Sequence, residues 1–244
     1  MKTALIFGAS SGIGAATAVK LLESKWQVFG AARSVDKLNA IALKYPHFVP
    51  LACDVTDEDQ VEATFAAASQ DQLLDAVITT AGVYLTDAPL KDTTLEQWEN
   101  LHITNSRSNF IIARAAERLF WEKAGVFIAL SSLGGLNHWV LPGNGAYSST
   151  KHSVTAVVAA LKAEWDVAKS PSQAFCVCPG LVETPMVEGR LKDHPNEKGT
   201  GITAESAGAA ISELATHPER FDSWLYRLGP SGLQPEIGPT SYDI

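Results

Sequence analysis

Short apolar runs alternate along the chain with longer segments in which apolar residues recur at helical spacing. Runs of this kind, rich in valine, isoleucine and phenylalanine, are typical of strands that are buried on both faces of a parallel sheet. The alternation therefore predicts an α/β protein with a seven-stranded parallel sheet covered by helices on both faces. The predicted strands are 3–7, 27–32, 48–52, 74–79, 126–131, 174–178 and 224–228.

Capping signals mark where three of the predicted helices begin. Each signal is a threonine, whose hydroxyl accepts a hydrogen bond from the first helical turn, followed within three residues by an acidic residue or a glutamine. The predicted starts are Thr56 with Asp59, Thr94 with Gln97, and Thr203 with Glu205.

Length and charge narrow the class of protein. A chain of 244 residues with 46% hydrophobic residues is expected to form one domain, residues 1–244, around its own core. No apolar run reaches the ~18 residues that span a bilayer, and the first predicted strand begins without a cleavable leader. We therefore expect a cytoplasmic protein with no membrane partner. The net charge of −8 and the lack of a basic patch argue against a nucleic-acid partner.

The cysteines and histidines do not follow a metal-binding pattern. Cys53, Cys176 and Cys178 show no CxxC spacing, and the six histidines show no HxH or HxxxH spacing. We predict three buried free thiols and no metal site.

A glycine-rich turn follows the first predicted strand directly. It reads Gly-Ala-Ser-Ser-Gly-Ile-Gly at positions 8–14 and leads into a helical segment. Gly8 permits the tight turn, Gly12 lets the backbone approach a pyrophosphate, and Gly14 lets the helix pack closely on the strand. Because the first N–H groups of a helix bind anions, this segment predicts a dinucleotide site. The predicted contacts are Gly8, Ser10, Ser11, Gly12, Ile13 and Gly14.

Tyr147 and Lys151 stand four residues apart in a predicted helix, so their side chains lie on one face of it. An ordinary tyrosine has a pKa of ~10 and exchanges protons poorly at neutral pH. A fixed ammonium group beside it favours the phenolate and would lower that pKa toward the working range of an acid–base catalyst. The pair Ser131 and Ser132 lies just upstream. Together with the glycine turn, this spacing indicates a candidate catalytic site.

With these motifs the chain resembles the short-chain dehydrogenase/reductase family over almost its whole length. The family's TGxxxGxG turn matches residues 7–14, its NNAG motif matches residues 79–82, and its serine and Tyr-x-x-x-Lys match the residues just described. The resemblance implies a Rossmann-type three-layer α/β/α sandwich. It also implies an oxidoreductase that transfers hydride between a nicotinamide cofactor and a carbonyl or secondary alcohol. The catalytic residues implied in this way are Asn105, Ser132, Tyr147 and Lys151.

The resemblance also implies a path for the cofactor along the chain. Two positions depart from the family pattern, because Phe7 stands where threonine is usual and Thr80 replaces the second asparagine. Phe7 cannot donate the usual side-chain hydrogen bond, so the link between strand and turn needs another partner. Thr80 keeps a hydroxyl and is expected to take over part of the asparagine's bracing role. Besides the glycine turn, the implied cofactor contacts are Asp54, Val55, Ala81, Gly82, Tyr147, Lys151, Pro179, Gly180, Val182 and Thr184.

The end of the second predicted strand indicates which cofactor is preferred. An NAD-selective site places a carboxylate here, which accepts from the ribose hydroxyls and repels a 2′-phosphate. In this chain Ala32 leaves room, Arg33 offers a guanidinium suited to phosphate, and Ser34 adds a hydroxyl donor. Ser10 and Ser11 add no second cation. We therefore expect NADP(H) to be preferred moderately, with NAD(H) still accepted.

By the same resemblance, Tyr147 delivers a proton to the carbonyl oxygen while Ser132 hydrogen-bonds to it. Lys151 lowers the tyrosine pKa and holds the nicotinamide ribose, and Asn105 anchors a water through which the proton is resupplied. Residues 183–203 match the family's mobile substrate lid. The expected pocket residues are mostly apolar, which predicts a medium-sized hydrophobic ketone or alcohol. They are Val83, Leu85, Trp139, Leu141, Met186 and Val187.

The apolar residues of the segment 153–161 circle its predicted helix, and a helix that is apolar all round must be covered all round. Since a sheet covers only one side, and since family members commonly pair through this helix, we expect a homodimer or a homotetramer.

Two alternatives use the same fold. A catalytically silent NADP-binding sensor or scaffold would keep the glycine turn but lose the serine, tyrosine or lysine, and this chain keeps all three. An epimerase or dehydratase usually has a longer substrate region after the position of Gly180. The identity of the substrate and the direction of the reaction stay open.

Overall fold

The structure is a computed structural model that describes residues 1–70, 72–85, 88–121 and 123–236. All seven predicted strands are present, and they lie side by side in one parallel sheet. The strands are β1 (Thr3–Phe7), β2 (Gln27–Ala32), β3 (Phe48–Ala52), β4 (Ala76–Thr79), β5 (Val126–Leu130), β6 (Gln173–Pro179), β7 (Val182–Glu183), β8 (Ile202–Thr203), β9 (Leu225–Gly229) and β10 (Gly232–Pro235). Three of these strands, β7, β8 and β10, were not predicted.

The main sheet has the strand order β3-β2-β1-β4-β5-β6-β9-β10. The chain builds outward from β1 in one direction through β2 and β3, and then in the other direction from β4 onward. Because parallel strands end at the same edge, a crevice opens beyond the carboxyl ends of β1 and β4, where the order reverses. The glycine turn and residues 80–83 both lie at this edge.

The sheet has eight strands among the described residues, which corrects the prediction of seven. The eighth, β10, pairs antiparallel with β9 across a two-residue turn. Its sequence contains Gly232 and Pro235 and only one strongly apolar residue, so the strand lacks the hydrophobic pattern of the others. Proline is tolerated there because β10 is an edge strand. The two-residue strands β7 and β8 form a separate parallel pair.

The helices begin near the predicted caps, with one correction. Asp57, not Thr56, caps α3 by accepting from the Gln60 N–H at 3.2 Å, while the Thr56 hydroxyl donates to Asp54. Thr94 forms the predicted capping box, and Thr203 accepts from the Ser206 N–H. The helices are α1 (Gly12–Glu23), α2 (Val35–Ala42), α3 (Glu58–Ser69), α4 (Leu95–Leu101), α5 (Ser108–Phe120), α6 (Gly145–Ala168), α7 (Glu188–Asp193) and α8 (Ala204–Thr216).

Two apolar layers hold the helices on the sheet. Side chains from α1, α2 and α8 pack on one face, and side chains from α3, α5 and α6 pack on the other. Helices α1 and α8 approach closely because Gly208 has no side chain, since a Cβ there would lie 2.6 Å from the backbone of Ala16. The fold is therefore the three-layer α/β/α sandwich of Rossmann type. Within the described ranges, no helix is both long enough and apolar enough to traverse a bilayer.

Candidate active site

The glycine turn is a close-packed backbone cradle at the end of β1. Gly8 and Gly12 have φ angles of +88° and +54°, which side chains other than glycine rarely adopt. A Cβ on Gly8 would lie 2.6 Å from the Thr80 hydroxyl, and a Cβ on Gly14 would lie 2.3 Å from the Gly8 carbonyl oxygen. The turn therefore tolerates no larger residue at these positions.

Thr80 provides the link that Phe7 cannot make. Its hydroxyl donates to the Phe7 carbonyl oxygen at 3.0 Å and lies 3.3 Å from that of Gly8. Its N–H also donates to Phe7, at 2.9 Å. The Phe7 side chain is fully buried and packs against Phe65. The partner that the link between strand and turn needs is therefore Thr80.

The first turn of α1 presents its N–H groups to a cleft. Within the described chain, the Ser11 hydroxyl makes no capping hydrogen bond to this turn, although Asp57, Thr94 and Thr203 cap the helices that follow them. The N–H groups of this turn therefore remain available to bind an anion. Of the predicted contacts, Gly8, Ser10, Ser11, Gly12, Ile13 and Gly14 all line the cleft.

The cleft has a volume of about 300 Å³ and continues to the ends of β2 and β3. Arg33, Ser34, Asp54 and Val55 line it there as predicted, and Ala81, Gly82 and Thr184 line its other end. Hydrogen bonds from the Thr56 N–H and hydroxyl hold the pKa of Asp54 below its ordinary value.

Lys37 also lines the cleft and was missed at the sequence level. It stands in the first turn of α2, four residues after Arg33, so both cations border the same end of the cleft. The available signal was the closeness of the two cations in the sequence, on either side of the start of α2. Other lining residues that were not predicted as contacts are Ala32, Cys53, Thr56, Thr80, Val83, Thr104, Pro185 and Met186.

Five predicted cofactor contacts do not line the cleft, namely Tyr147 and Lys151, which are described below, and Pro179, Gly180 and Val182. Pro179 ends β6, and Gly180 donates its N–H to the Leu228 carbonyl oxygen at 3.0 Å. Val182 lies in β7 with its side chain in the apolar core, paired with Ile202. Thr184 reaches the cleft instead, and its methyl group would lie 3.1 Å from a Cβ on Gly12.

Ser132, Tyr147 and Lys151 converge beside the other end of the cleft. Ser132 follows β5, and its oxygen accepts from the Gly134 N–H at 3.2 Å. Its hydroxyl is near enough to Tyr147 to favour a lower pKa of the phenol. Tyr147 and Lys151 lie one turn apart on α6, with the Lys151 ammonium 5.7 Å from the centre of the tyrosine ring. The structure therefore brings together the residues predicted from the Tyr-x-x-x-Lys spacing.

The expected lowering of the Tyr147 pKa is wrong for this structure. Burial raises the pKa of Tyr147 well above its ordinary value, and the nearby Ser132 hydroxyl opposes that rise. Burial likewise lowers the pKa of Lys151 to about 8. The lysine is buried and donates to the Leu130 carbonyl oxygen at 3.0 Å. Spacing predicted the proximity of the two groups but not the desolvation that dominates both.

Asn105 organises the backbone around this centre. It lies in a π-helical stretch, His102–Arg107, between α4 and α5, and it is completely buried. Its side chain accepts from the Val83 N–H at 2.8 Å and donates to the Val83 carbonyl oxygen at 2.9 Å. It also lies 3.1 Å from the Thr150 hydroxyl, which donates to the Tyr147 carbonyl oxygen. Asn105 thus ties the loop after β4 to the helix that carries the tyrosine.

Ser131 has a structural part in the same region. Its hydroxyl donates to the Lys151 carbonyl oxygen at 2.8 Å and lies 3.0 Å from the Thr155 hydroxyl. The cysteines nearby, Cys176 and Cys178, are buried free thiols as predicted, and so is Cys53. In the described parts of the chain, no group of three or more histidine, cysteine and acidic side chains is placed to hold a metal ion.

Tyr84 is a further residue that sequence reasoning missed. Its ring meets the Tyr147 ring edge to face, with centroids 4.8 Å apart and planes at 87°. Its hydroxyl lies 2.9 Å from the Asn144 side-chain oxygen and 3.0 Å from the Arg190 guanidinium. No local sequence signal points to these contacts, because they join three separate segments of the chain.

The cleft has the donors that a dinucleotide requires. A helix N-terminus with open N–H groups suits a pyrophosphate, and an acidic side chain at Asp54 suits an adenosine. The buried Lys151 stands beside Gly82, where a Cβ would come within 3.6 Å of the ammonium. The residues present therefore fit a nicotinamide dinucleotide laid between the glycine turn and Tyr147.

Comparison with known proteins agrees with this geometry. The family model described as short chain dehydrogenase matches residues 2–195. Dehydrogenase/reductase SDR family member 11 of Gallus gallus is 35% identical over 249 aligned positions, which cover 94% of this chain and 96% of the relative. Two solved structures superpose over 92% of this chain. One is 3-ketoacyl-(acyl-carrier-protein) reductase from Brucella melitensis complexed with NADH, with a TM-score of 0.82, 22% identity and 94% of that chain covered. The other is ElxO with NADP bound, with a TM-score of 0.80, 23% identity and 95% covered. The chain belongs to the short-chain dehydrogenase/reductase family and is an oxidoreductase of the dehydrogenase/reductase kind.

Proposed function

We propose that residues 1–244 form one catalytic unit, an NADP(H)-dependent carbonyl reductase or alcohol dehydrogenase that acts on a small hydrophobic substrate. The observation that carries the proposal is the placement of Tyr147 and the buried Lys151 one turn apart on α6, with the ammonium 5.7 Å from the centre of the tyrosine ring. This group of side chains stands beside the cleft that begins at the glycine turn.

Tyr147 is the proton donor to the carbonyl oxygen in this proposal. Burial raises its pKa, so the phenol holds its proton at neutral pH and acts as a general acid in the direction of reduction. Ser132 hydrogen-bonds to the same oxygen as negative charge develops on it. A nicotinamide bound in the cleft would supply or accept the hydride.

Lys151 and Asn105 support the tyrosine in different ways. Because the Lys151 pKa is about 8, the amine can exchange a proton near neutral pH and so help to resupply the phenol. Its position within reach of Gly82 also suits a contact with the ribose of the cofactor. Asn105 fixes the Val83 backbone and, through Thr150, the turn that carries Tyr147.

Two cations support a preference for NADP(H). Arg33 and Lys37 both line the adenosine end of the cleft, and the Ser34 hydroxyl lies between them in the sequence. At the end of β2 stands Ala32, whose side chain does not repel a phosphate. Guanidinium and ammonium groups bind phosphate well, so we propose that they bind the 2′-phosphate. NAD(H) lacks this group and should bind more weakly.

An exposed apolar rim supports a hydrophobic substrate. Trp139, Val140 and Leu141 stand exposed shortly before α6, and Met186 stands exposed in the segment after β7. Val83 and Met186 also line the cleft. Exposed apolar groups at the mouth of a site favour an apolar ligand, because its binding removes them from water.

The outer face of α6 supports a homodimer or homotetramer. Val154, Val158, Leu161 and Trp165 are buried against the sheet, while Val167 is exposed, as are Ala156, Ala160 and Ala163. The neighbouring α5 exposes Phe110. A row of small side chains allows close approach of a second helix. Ala160→Glu should convert the assembly to monomers, as measured by sedimentation at micromolar concentration. Substitution of the buried Val154 would instead destabilise the fold, because it disrupts the hydrophobic core.

The experiment that tests the function follows nicotinamide absorbance with a panel of ketones and secondary alcohols. Turnover with NADPH and a hydrophobic ketone is expected, and weaker binding of NADH should appear in competition. A silent sensor would bind NADPH and turn over no member of the panel, which would contradict the proposed enzyme.

A further inference from the structure

The two ends of the segment that follows β7 are held together by strand pairing. Strands β7 and β8 pair Val182 with Ile202, so residues 184–201 leave and return at one point. The Glu183 carboxylate accepts from the Gly199 N–H at 2.6 Å. We call residues 184–201 the excursion. It includes α7 and lies within the range 183–203 that the sequence predicted as a lid.

Arg190 connects the excursion to the site. Its guanidinium donates to the two Glu197 carboxylate oxygens, with Nε–Oε2 and Nη2–Oε1 both at 2.6 Å. A third nitrogen, Nη1, donates to the Tyr84 hydroxyl at 3.0 Å. The side chain is only 16% exposed. A planar guanidinium is thus held on one side by the excursion and reaches Tyr84 on the other.

Tyr84 connects Arg190 to the start of α6. Because it accepts from Arg190, its hydroxyl proton is available to the Asn144 side-chain oxygen at 2.9 Å. Asn144 precedes α6, and its carbonyl oxygen accepts from the Ser148 N–H at 2.8 Å. The Tyr84 ring meanwhile stands edge to face on Tyr147. One tyrosine therefore touches the proton donor directly and also holds the turn that carries it.

We propose that Tyr84 is a positioning residue for Tyr147, and that Arg190 latches the excursion over the site through the Tyr84 hydroxyl. The inference rests on the proposed function in taking Tyr147 as the proton donor. When the excursion is in place, the Tyr84 hydroxyl is hydrogen-bonded to both Arg190 and Asn144, and the Tyr84 ring holds the Tyr147 ring in position. When the excursion opens, the hydroxyl loses the Arg190 donor and the ring is less constrained.

The latch depends on the guanidinium rather than on positive charge alone. Lysine at position 190 keeps the charge opposite Glu197, but a single ammonium group cannot reproduce the two parallel bonds and the third to Tyr84. Arg190→Lys and Tyr84→Phe should therefore both loosen the latch, because each removes the bond between Arg190 and Tyr84. Tyr84→Phe keeps the aromatic edge and removes only the hydroxyl.

Two measurements test the latch. Limited trypsin digestion reports opening of the excursion, which contains the cleavable Lys192 and Lys198, and neither variant changes the number of trypsin sites. Cleavage within residues 190–200 should quicken roughly tenfold in both variants, as expected for the loss of one or two hydrogen bonds. Arg220→Lys is the matched control, because Arg220 pairs with Glu213 at 2.9 Å on another surface. It should leave this cleavage unchanged.

Kinetics test the positioning of Tyr147. Both variants should lower kcat roughly tenfold while the affinity for NADPH stays the same. The double variant should lose less than the two single losses combined, because the bond between Arg190 and Tyr84 can be lost only once. Additive losses, or wild-type rates of both digestion and turnover, would overturn the proposal. If the wild type reduces no ketone, the proposed function fails and the positioning fails with it, while digestion still decides whether the latch exists.

Discussion

The cofactor end and the substrate end of the site are built in different ways. The cofactor end is a continuous turn, residues 8–14, whose binding groups are mainly backbone N–H and whose shape depends on glycines. The substrate end is an assembly of side chains from distant segments, in which Tyr84 contacts Asn144 and Arg190 across 60 and 106 positions of the chain. The first kind of site is specified locally, and the second exists only once the fold has formed.

The largest effect is expected at the substrate end, at Tyr147. Tyr147→Phe keeps the ring and its edge contact but removes the proton donor, so turnover should fall by ~10²–10⁴. Binding of NADPH should be largely kept, because the glycine turn is untouched. Tyr45→Phe makes the same chemical change outside the cleft and serves as the control. Near-wild-type ketone reduction by Tyr147→Phe would show that another group delivers the proton.

The next largest effect is expected in the pH dependence of stability, and it comes from the buried amine of Lys151 between the two ends of the site. The Lys151 pKa is about 8 when folded, against an ordinary value near 10.5. Between these values the unfolded chain binds the proton and the folded chain does not, so stability rises with pH across this window. The free energy of unfolding of the wild type, relative to that of Lys151→Met, should rise by up to ~1.4 kcal/mol per pH unit from pH 8 to 10.

Urea denaturation of both proteins without cofactor measures this difference. The subtraction matters because Tyr147 and Cys176, whose pKa values are raised, make opposite contributions at the alkaline end. Parallel pH curves for wild type and Lys151→Met would mean that the amine is solvated in solution.

The contrast between the two ends also explains what the sequence could predict. The strands, the glycine turn and the Tyr147–Lys151 pair have short periodic signals, and the structure contains them all. The missing hydroxyl at Phe7 showed that the link needs another partner, and only the structure identified that partner as Thr80. Tyr84 and Arg190 have no such signal, because their roles arise from contacts between segments. The direction of the Tyr147 pKa was wrong for the same reason, since burial is a property of the whole fold.

A smaller effect is expected for the cations of the cofactor end. A charge-assisted hydrogen bond contributes ~1.5–3 kcal/mol, or roughly 10–100-fold in binding. Arg33→Ala should weaken NADPH binding by an amount in this range and leave NADH unaffected, and Lys37→Ala should have a smaller effect of the same kind. Ala32→Asp should tend to reverse the preference. Competitive binding of the two cofactors measures each change.

Lys44→Ala is the matched control for the cations, because it removes a lysine just after α2 that does not line the cleft. Equal affinities of the wild type for the two cofactors, or tighter binding of NADH, would show that neither cation reaches the phosphate.

The smallest effects are expected at two hydroxyl residues that precede helices, Thr203 before α8 and Ser11 before α1. Thr203 caps α8 by accepting from the Ser206 N–H at 3.1 Å, whereas Ser11 precedes α1 and, in the described chain, makes no capping bond. Without cofactor, Thr203→Ala should lower the free energy of unfolding by ~1 kcal/mol, and Thr203→Ser should restore it. Ser11→Ala should change stability much less but should weaken NADPH binding by roughly fivefold, through loss of a cleft hydroxyl. The same substitution would then act on folding at one helix and on ligand binding at the other. Equal losses of stability at the two positions would mean that Ser11 is an ordinary cap, and that the first turn of α1 is not kept open for the pyrophosphate.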